Sequence, residues 1–129
     1  MNHWIYVGLS DKDKYAAARY FKSKDVESAE KVALSVAESF GVTVSEIKGK
    51  SRYRTIADAR HSMVQITRQE LGYSMNQIGI CINRHHSTII NSLRVFEQIY
   101  QSDNLFAQRH DKAYSLYKKT LKDVHEKTL

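Results

Sequence analysis

Arg84, His85, His86, Ser87, Thr88, Asn91 and Arg94 fall within one short stretch, and Met75 and Asn76 lie just upstream of it. None of these side chains needs to make or break a bond to be useful. Asn pairs well with the hydrogen-bonding edge of adenine and Arg with that of guanine. Ser and Thr offer a hydroxyl to a base or phosphate, and Thr adds a methyl group for thymine. A second stretch, Lys48-Gly49-Lys50-Ser51-Arg52-Tyr53-Arg54, places four cations in seven residues, and Arg60 follows shortly after. Cations in a loop can neutralise phosphates, and an arginine can enter a narrow minor groove. The set Lys50, Arg52, Arg54, Arg60, Met75, Asn76, Arg84, His85, His86, Ser87, Thr88, Asn91 and Arg94 is therefore a candidate surface for double-stranded DNA.

Other chemistry fits less well. His85, His86, Cys81, His61 and His110 do not make a metal site by spacing. Neighbouring histidines on a helix point about 100° apart, and no H-x-x-x-H or C-x-x-C pair is present. Glu27, Glu30 and Glu38 fall on the solvated face of an amphipathic helix. Tyr15, Tyr20, Tyr114 and Tyr117 read as core or interface residues. The five glycines are too scattered for a G-x-x-x-x-G-K-[ST] phosphate loop. The expectation is a protein without catalysis, metal, cofactor or bound nucleotide.

The elements that would position these groups are helical. The chain has 129 residues, no proline and only 5 glycines, which favours one all-α domain, a bundle of five to seven helices. The net charge is +6 and the pI is about 9.4, a balance suited to a polyanion. A single cysteine, Cys81, excludes an internal disulfide and suits a reducing cytoplasm. No apolar run approaches the roughly 20 residues of a membrane span, and the first residues lack a secretory leader. A cytoplasmic protein without membrane contact is expected.

Caps and periodicity divide the chain. Ser10 and Asp13 open a helix through Tyr15, Arg19 and Phe21. Val26, Ala29, Ala33, Val36, Ala37 and Phe40 mark one face of the next, which Gly41 stops. Thr43 and Glu46 cap a single turn ending at Gly49. Thr55 and Asp58 open a longer helix, with Ile56, Ala59, Met63, Ile66 and Gln69–Leu71 on or near its buried side, ended by Gly72. Ser74 and Gln77 cap a short helix with Ile78 and Ile82 inward. After a tight turn, a helix from His85 to Tyr100 buries Ile89, Leu93, Phe96 and Tyr100 and leaves Ser87, Asn91, Arg94 and Gln98 opposite. Ser102 and Asp103 open the last helix, with Leu105, Phe106, Arg109, Ala113, Leu116 and Tyr117. Ser74 to Arg94 thus has the layout of a helix-turn-helix.

Residues from about Val26 to Leu121 resemble the C-terminal DNA-binding domain of the bacterial chromosomal replication initiator, DnaA. The likeness rests on Asn83-Arg84-His85-His86-Ser87-Thr88-Ile89 against that family's GGRDHTTV-like stretch. VSEIKGKSRYR resembles its short helix and arginine-rich loop, and SMNQIG resembles the first helix of its motif. The resemblance implies an all-helical bundle of the Trp-repressor type. It implies Arg52 as a minor-groove arginine, His86, Ser87 and Thr88 as base readers, and Asn91 as a further contact. Arg60, and more weakly His61, become candidate backbone contacts. It departs at His85, where the family has an acidic residue, and at Asn83, which replaces paired glycines. His85 is thereby expected as a cation that strengthens DNA binding at lower pH. The reading is of a single domain over 1–129: a free-standing copy of the DNA-reading part over 26–121, an N-terminal extension with a helix over 1–25, and no ATPase module. Its expected role is sequence-specific duplex binding in replication or transcription control. The alternative is a helical adaptor or homodimer that uses Trp4, Ile5, Tyr6 and the tyrosine-rich first helix to bind a regulatory protein or a second copy.

Overall fold

The computed structural model describes residues 23–128. The Ser10 helix and the Trp4–Leu9 segment expected from sequence lie outside them. The described residues form an all-α bundle: α1 (Ser23–Phe40), α2 (Val44–Lys48), α3 (Arg54–Ile66), α4 (Met75–Ile82), α5 (His86–Ser102) and α6 (Asn104–Thr128). A π-helical turn, Thr67–Leu71, extends α3. No strand occurs among the described residues.

Local chemistry explains most boundaries. α1 ends at Gly41 and the π turn at Gly72, both left-handed with φ of 70° and 65°. Thr43 with Glu46 and Ser74 with Gln77 form complete capping boxes, so the two short helices α2 and α4 start where the sequence indicates. α1 packs against α6 and α3, while α5 packs against α3 and α4. Between them lie Val32, Val36 and Phe40 of α1, Met63 and Ile66 of α3, Ile78 and Ile82 of α4, Ile89 and Phe96 of α5, and Phe106, Ala113 and Tyr117 of α6.

Several expectations need correction. α3 begins at Arg54 rather than Thr55, behind Tyr53, which supplies no side-chain cap. Asp58 instead turns back toward Arg54, at 3.7 Å. Ser102 belongs to the end of α5, where its hydroxyl donates to the Gln98 carbonyl. Asp103 alone caps α6, accepting from the Phe106 N–H at 3.1 Å. Val26 is exposed because the core reaches only to Ala29, one turn later. Leu105 and Gln69 are also exposed, and Leu93 is half-buried. Tyr100 is exposed at its edge: its ring stacks on Phe96 at 5.5 Å and its hydroxyl donates to Asp111 at 2.9 Å. An amphipathic ring can cover the core while its polar tip stays wet.

His110 is buried against Phe96, with ring centroids 4.6 Å apart, and its Nδ1 lies 2.8 Å from the Ser62 hydroxyl. Burial pushes its pKa down, with a smaller opposing effect from Asp111. Burial lowers His61 as well, and the neighbouring Arg60 charge adds to this. Unfolding therefore releases two histidines that take up protons more readily. Their contribution is fully present above the unfolded histidine pKa of about 6.5 and is lost as pH falls below it. Urea midpoints are expected to drop between about pH 7 and pH 5. A His110→Gln variant should be less stable at neutral pH but show a shallower acid decline.

Candidate nucleic-acid interface

The interface is built around the turn between α4 and α5. Asn83 takes the left-handed conformation there, with φ 58° and ψ 51°, and is one of few residue types that tolerate it. The chain then doubles back closely enough for the Arg84 N–H to donate to the Gly79 carbonyl at 2.8 Å. A Cβ on Gly79 would overlap the Arg84 carbonyl oxygen, so the close approach of helix and turn requires a glycine. His85 caps α5: its Nδ1 accepts from the Ser87 N–H at 3.2 Å.

Helix α5 presents the faces expected from its periodicity. Ile89 and Phe96 are buried, while Ser87, Thr88, Asn91, Arg94 and Gln98 are exposed. Its orientation is fixed by a contact the periodicity does not reveal. Ser92 is buried, and its hydroxyl meets His61 Nδ1 at 2.6 Å, pinning α5 to α3.

Two arginines join the basic loop to this turn. Arg60 donates through Nε to the Ile47 carbonyl at 2.7 Å and through Nη2 to the Glu46 and Gly49 carbonyls at 3.2 and 2.9 Å. These carbonyls lie at the C-terminal end of α2, where that of Glu46 also accepts the Gly49 N–H at 3.2 Å. Arg84 donates to the Asn83 carbonyl at 2.9 Å, at the end of α4, and also to the Gly49 carbonyl. The Gly49 oxygen thus receives both guanidinium groups. Burial lowers the pKa of each from the usual arginine value, and for Arg60 the Arg84 charge contributes too.

An open cleft of about 400 Å³ lies between loop and turn, lined by Lys50, Ser51, Arg52, Arg60, Asn83, Arg84 and His85. Lys50 and Arg52 are exposed there. The remaining residues expected at the site are placed differently. Arg54 does not line the cleft, because Asp103 holds its guanidinium at 3.2 Å and Asp58 lies nearby. His61 points inward at Ser92 and lines a smaller cavity of about 120 Å³ with Arg60, Thr88 and Asn91. Met75 packs against the core, while Asn76 is exposed on the first turn of α4. His86 rests against the His85 ring at 4.1 Å and has a buried, unpartnered Nδ1. His85 serves as a cap acceptor through Nδ1.

The sequence marks Gly49 only as a helix end within the basic stretch, and does not mark Gly79 or Ser92. A serine three residues after Ile89 on the apolar side of α5 was the available signal for Ser92. Among the described residues, no group of three or more histidine, cysteine or acidic side chains is placed to hold a metal. Burial raises the Cys81 thiol to about 12, which leaves it a poor nucleophile. No helix among the described residues is long and apolar enough to cross a membrane.

A capped helix, a left-handed turn and a second helix with an exposed polar leading end define the helix-turn-helix class. Residues 29–95 match the bacterial dnaA protein helix-turn-helix, and the chain belongs to that family. It is 34% identical over 77 residues to the chromosomal replication initiator protein DnaA of Mycoplasma capricolum, covering 59% of this chain and 17% of that protein. The Nostoc punctiforme protein of the same name is 34% identical over 86 residues, 66% of this chain and 19% of the relative. Chromosomal replication initiator protein DnaA 1 of Chlamydia pneumoniae is 37% identical over 68 residues, 53% and 15% of the two chains. The matched region thus spans less than a fifth of each relative.

Proposed function

We propose that this protein binds double-stranded DNA in a sequence-specific manner, without catalysis, in the control of replication or transcription. The carrying observation is that two independent DNA-suited groups meet at one end of α5. One is the exposed set Ser87, Thr88, Asn91 and Arg94; the other is the loop bearing Lys50 and Arg52, joined to the turn through Gly49. A helix end of this kind enters the major groove, and the adjacent loop reaches the backbone or minor groove. Family membership and the +6 charge support the same reading. The reading assigns base contacts to His86, Ser87, Thr88 and Asn91, and treats residues 26–121 as the DNA-binding unit. Arg60 and Arg84 hold the loop in place, and Arg54 and His61 lie outside the contact set.

Competition binding tests these assignments. Arg52→Ala should weaken binding to every duplex, or selectively to those with A·T-rich flanks. Asn91→Ala should relax preference at one position, by about 1–3 kcal/mol. Unchanged affinity and preference in both variants would remove the assignments.

A further inference from the structure

We infer that His85 acts as a fixed hydrogen-bond donor toward DNA and selects a base whose major-groove edge presents an acceptor. The inference rests on the proposed DNA-binding function and specifies what one side chain reads. A backbone N–H can only donate, and the Ser87 N–H is directed at His85 Nδ1, 3.2 Å away. The Ser87 hydroxyl is 2.8 Å from the same nitrogen. An imidazole nitrogen that accepts a hydrogen bond carries no proton, so the ring proton resides on Nε2. Among the described residues no partner is placed on Nε2, and it is not one of the buried unpartnered atoms. It is therefore an available donor at the head of α5.

The surroundings fix both position and preference. The ring is held on one edge by the cap and on one face by His86, at 4.1 Å, so little freedom is lost when it meets a partner. It shares the cleft with Lys50, Arg52 and Arg84, all of them donors. No acceptor on His85 remains for an amino group. Guanine presents N7 and O6 as acceptors, adenine presents N7 and thymine presents O4, whereas cytosine presents only its exocyclic donor. The base facing His85 should therefore be guanine, adenine or thymine, and cytosine should be excluded. A phosphate oxygen is an acceptor too, but it carries no sequence information, which separates the two targets.

Nitrogen-15 NMR of the free protein should show His85 with its proton on Nε2. Site selection from a random duplex library should then be compared between wild type and His85→Asp. Aspartate also caps helix N-termini well, so helical content by circular dichroism should be unchanged. It offers only acceptors. At one position of the selected site cytosine, excluded by wild type, should become favoured by about tenfold, roughly one hydrogen bond, with other positions retained. An Nδ1–H tautomer would overturn the inference. So would a uniform loss of affinity with unchanged preference, which would indicate a phosphate contact. If wild type bound no duplex, the DNA-binding reading and this inference would both be lost. If wild type and His85→Asp selected the same site, only the inference would be lost.

Discussion

Replacing Gly79 with alanine should destabilise the protein by about 2–3 kcal/mol, the upper part of the range for an overpacked site. The sign is the informative part. Within an exposed helix, glycine to alanine gains up to about 1 kcal/mol from helix propensity. At Gly79 the added methyl group meets the Arg84 carbonyl oxygen, a backbone atom that cannot rotate away. Relief requires the turn to separate from α4, which also disturbs the bond between Arg84 N–H and the Gly79 carbonyl. DNA affinity should fall with stability, because the same movement displaces the head of α5. Urea denaturation checks the first effect, and a stabilised Gly79→Ala protein would contradict the packing described for the turn.

Arg84→Ala should cost more DNA affinity than the loss of one charge accounts for. The guanidinium holds the Gly49 and Asn83 carbonyls together across the cleft. Without it, the loop carrying Lys50 and Arg52 is held to the rest of the protein chiefly through Arg60. Affinity is expected to fall at least tenfold, about 1.4 kcal/mol or more. Arg84→Lys should be nearly as impaired, since an ammonium keeps the charge but not the planar fork that spans two carbonyls. A double-mutant cycle with Arg52→Ala should show strong coupling, because Arg52 can contribute only when the loop is held. In the free protein, amide exchange over Lys50–Tyr53 should quicken while the α4 and α5 amides stay protected. Full recovery by lysine, or additivity with Arg52→Ala, would mean that Arg84 contacts DNA directly.

The parts of this architecture that depend on near neighbours are legible in the sequence. Thr43 with Glu46, and Ser74 with Gln77, announce their helices because cap and partner are three residues apart. The polar stripe of α5 follows from helical geometry alone. What could not be read depends on partners distant in the chain. Arg54 reads as a free cation of the basic loop, and its pairing with Asp103, 49 residues away, is invisible in the sequence. Arg60 and Arg84 read as cations for phosphate, yet both are drawn to one carbonyl, that of Gly49. His61 looks like a surface histidine until Ser92 is placed beneath it. Sequence shows a side chain's chemistry, whereas its share between fold and ligand is decided by groups that only the tertiary structure brings near.

The central claim is tested most directly by measuring equilibrium affinity for a library-selected duplex and for its scrambled counterpart over a range of salt concentrations. The selected duplex should bind at least about a thousandfold more tightly. Both affinities should fall steeply with salt, since each neutralised phosphate contributes a slope of about −0.9 in log affinity against log salt. Equal affinity for the two duplexes would reduce the protein to a nonspecific polycation, and absence of duplex binding at low salt would contradict the account altogether.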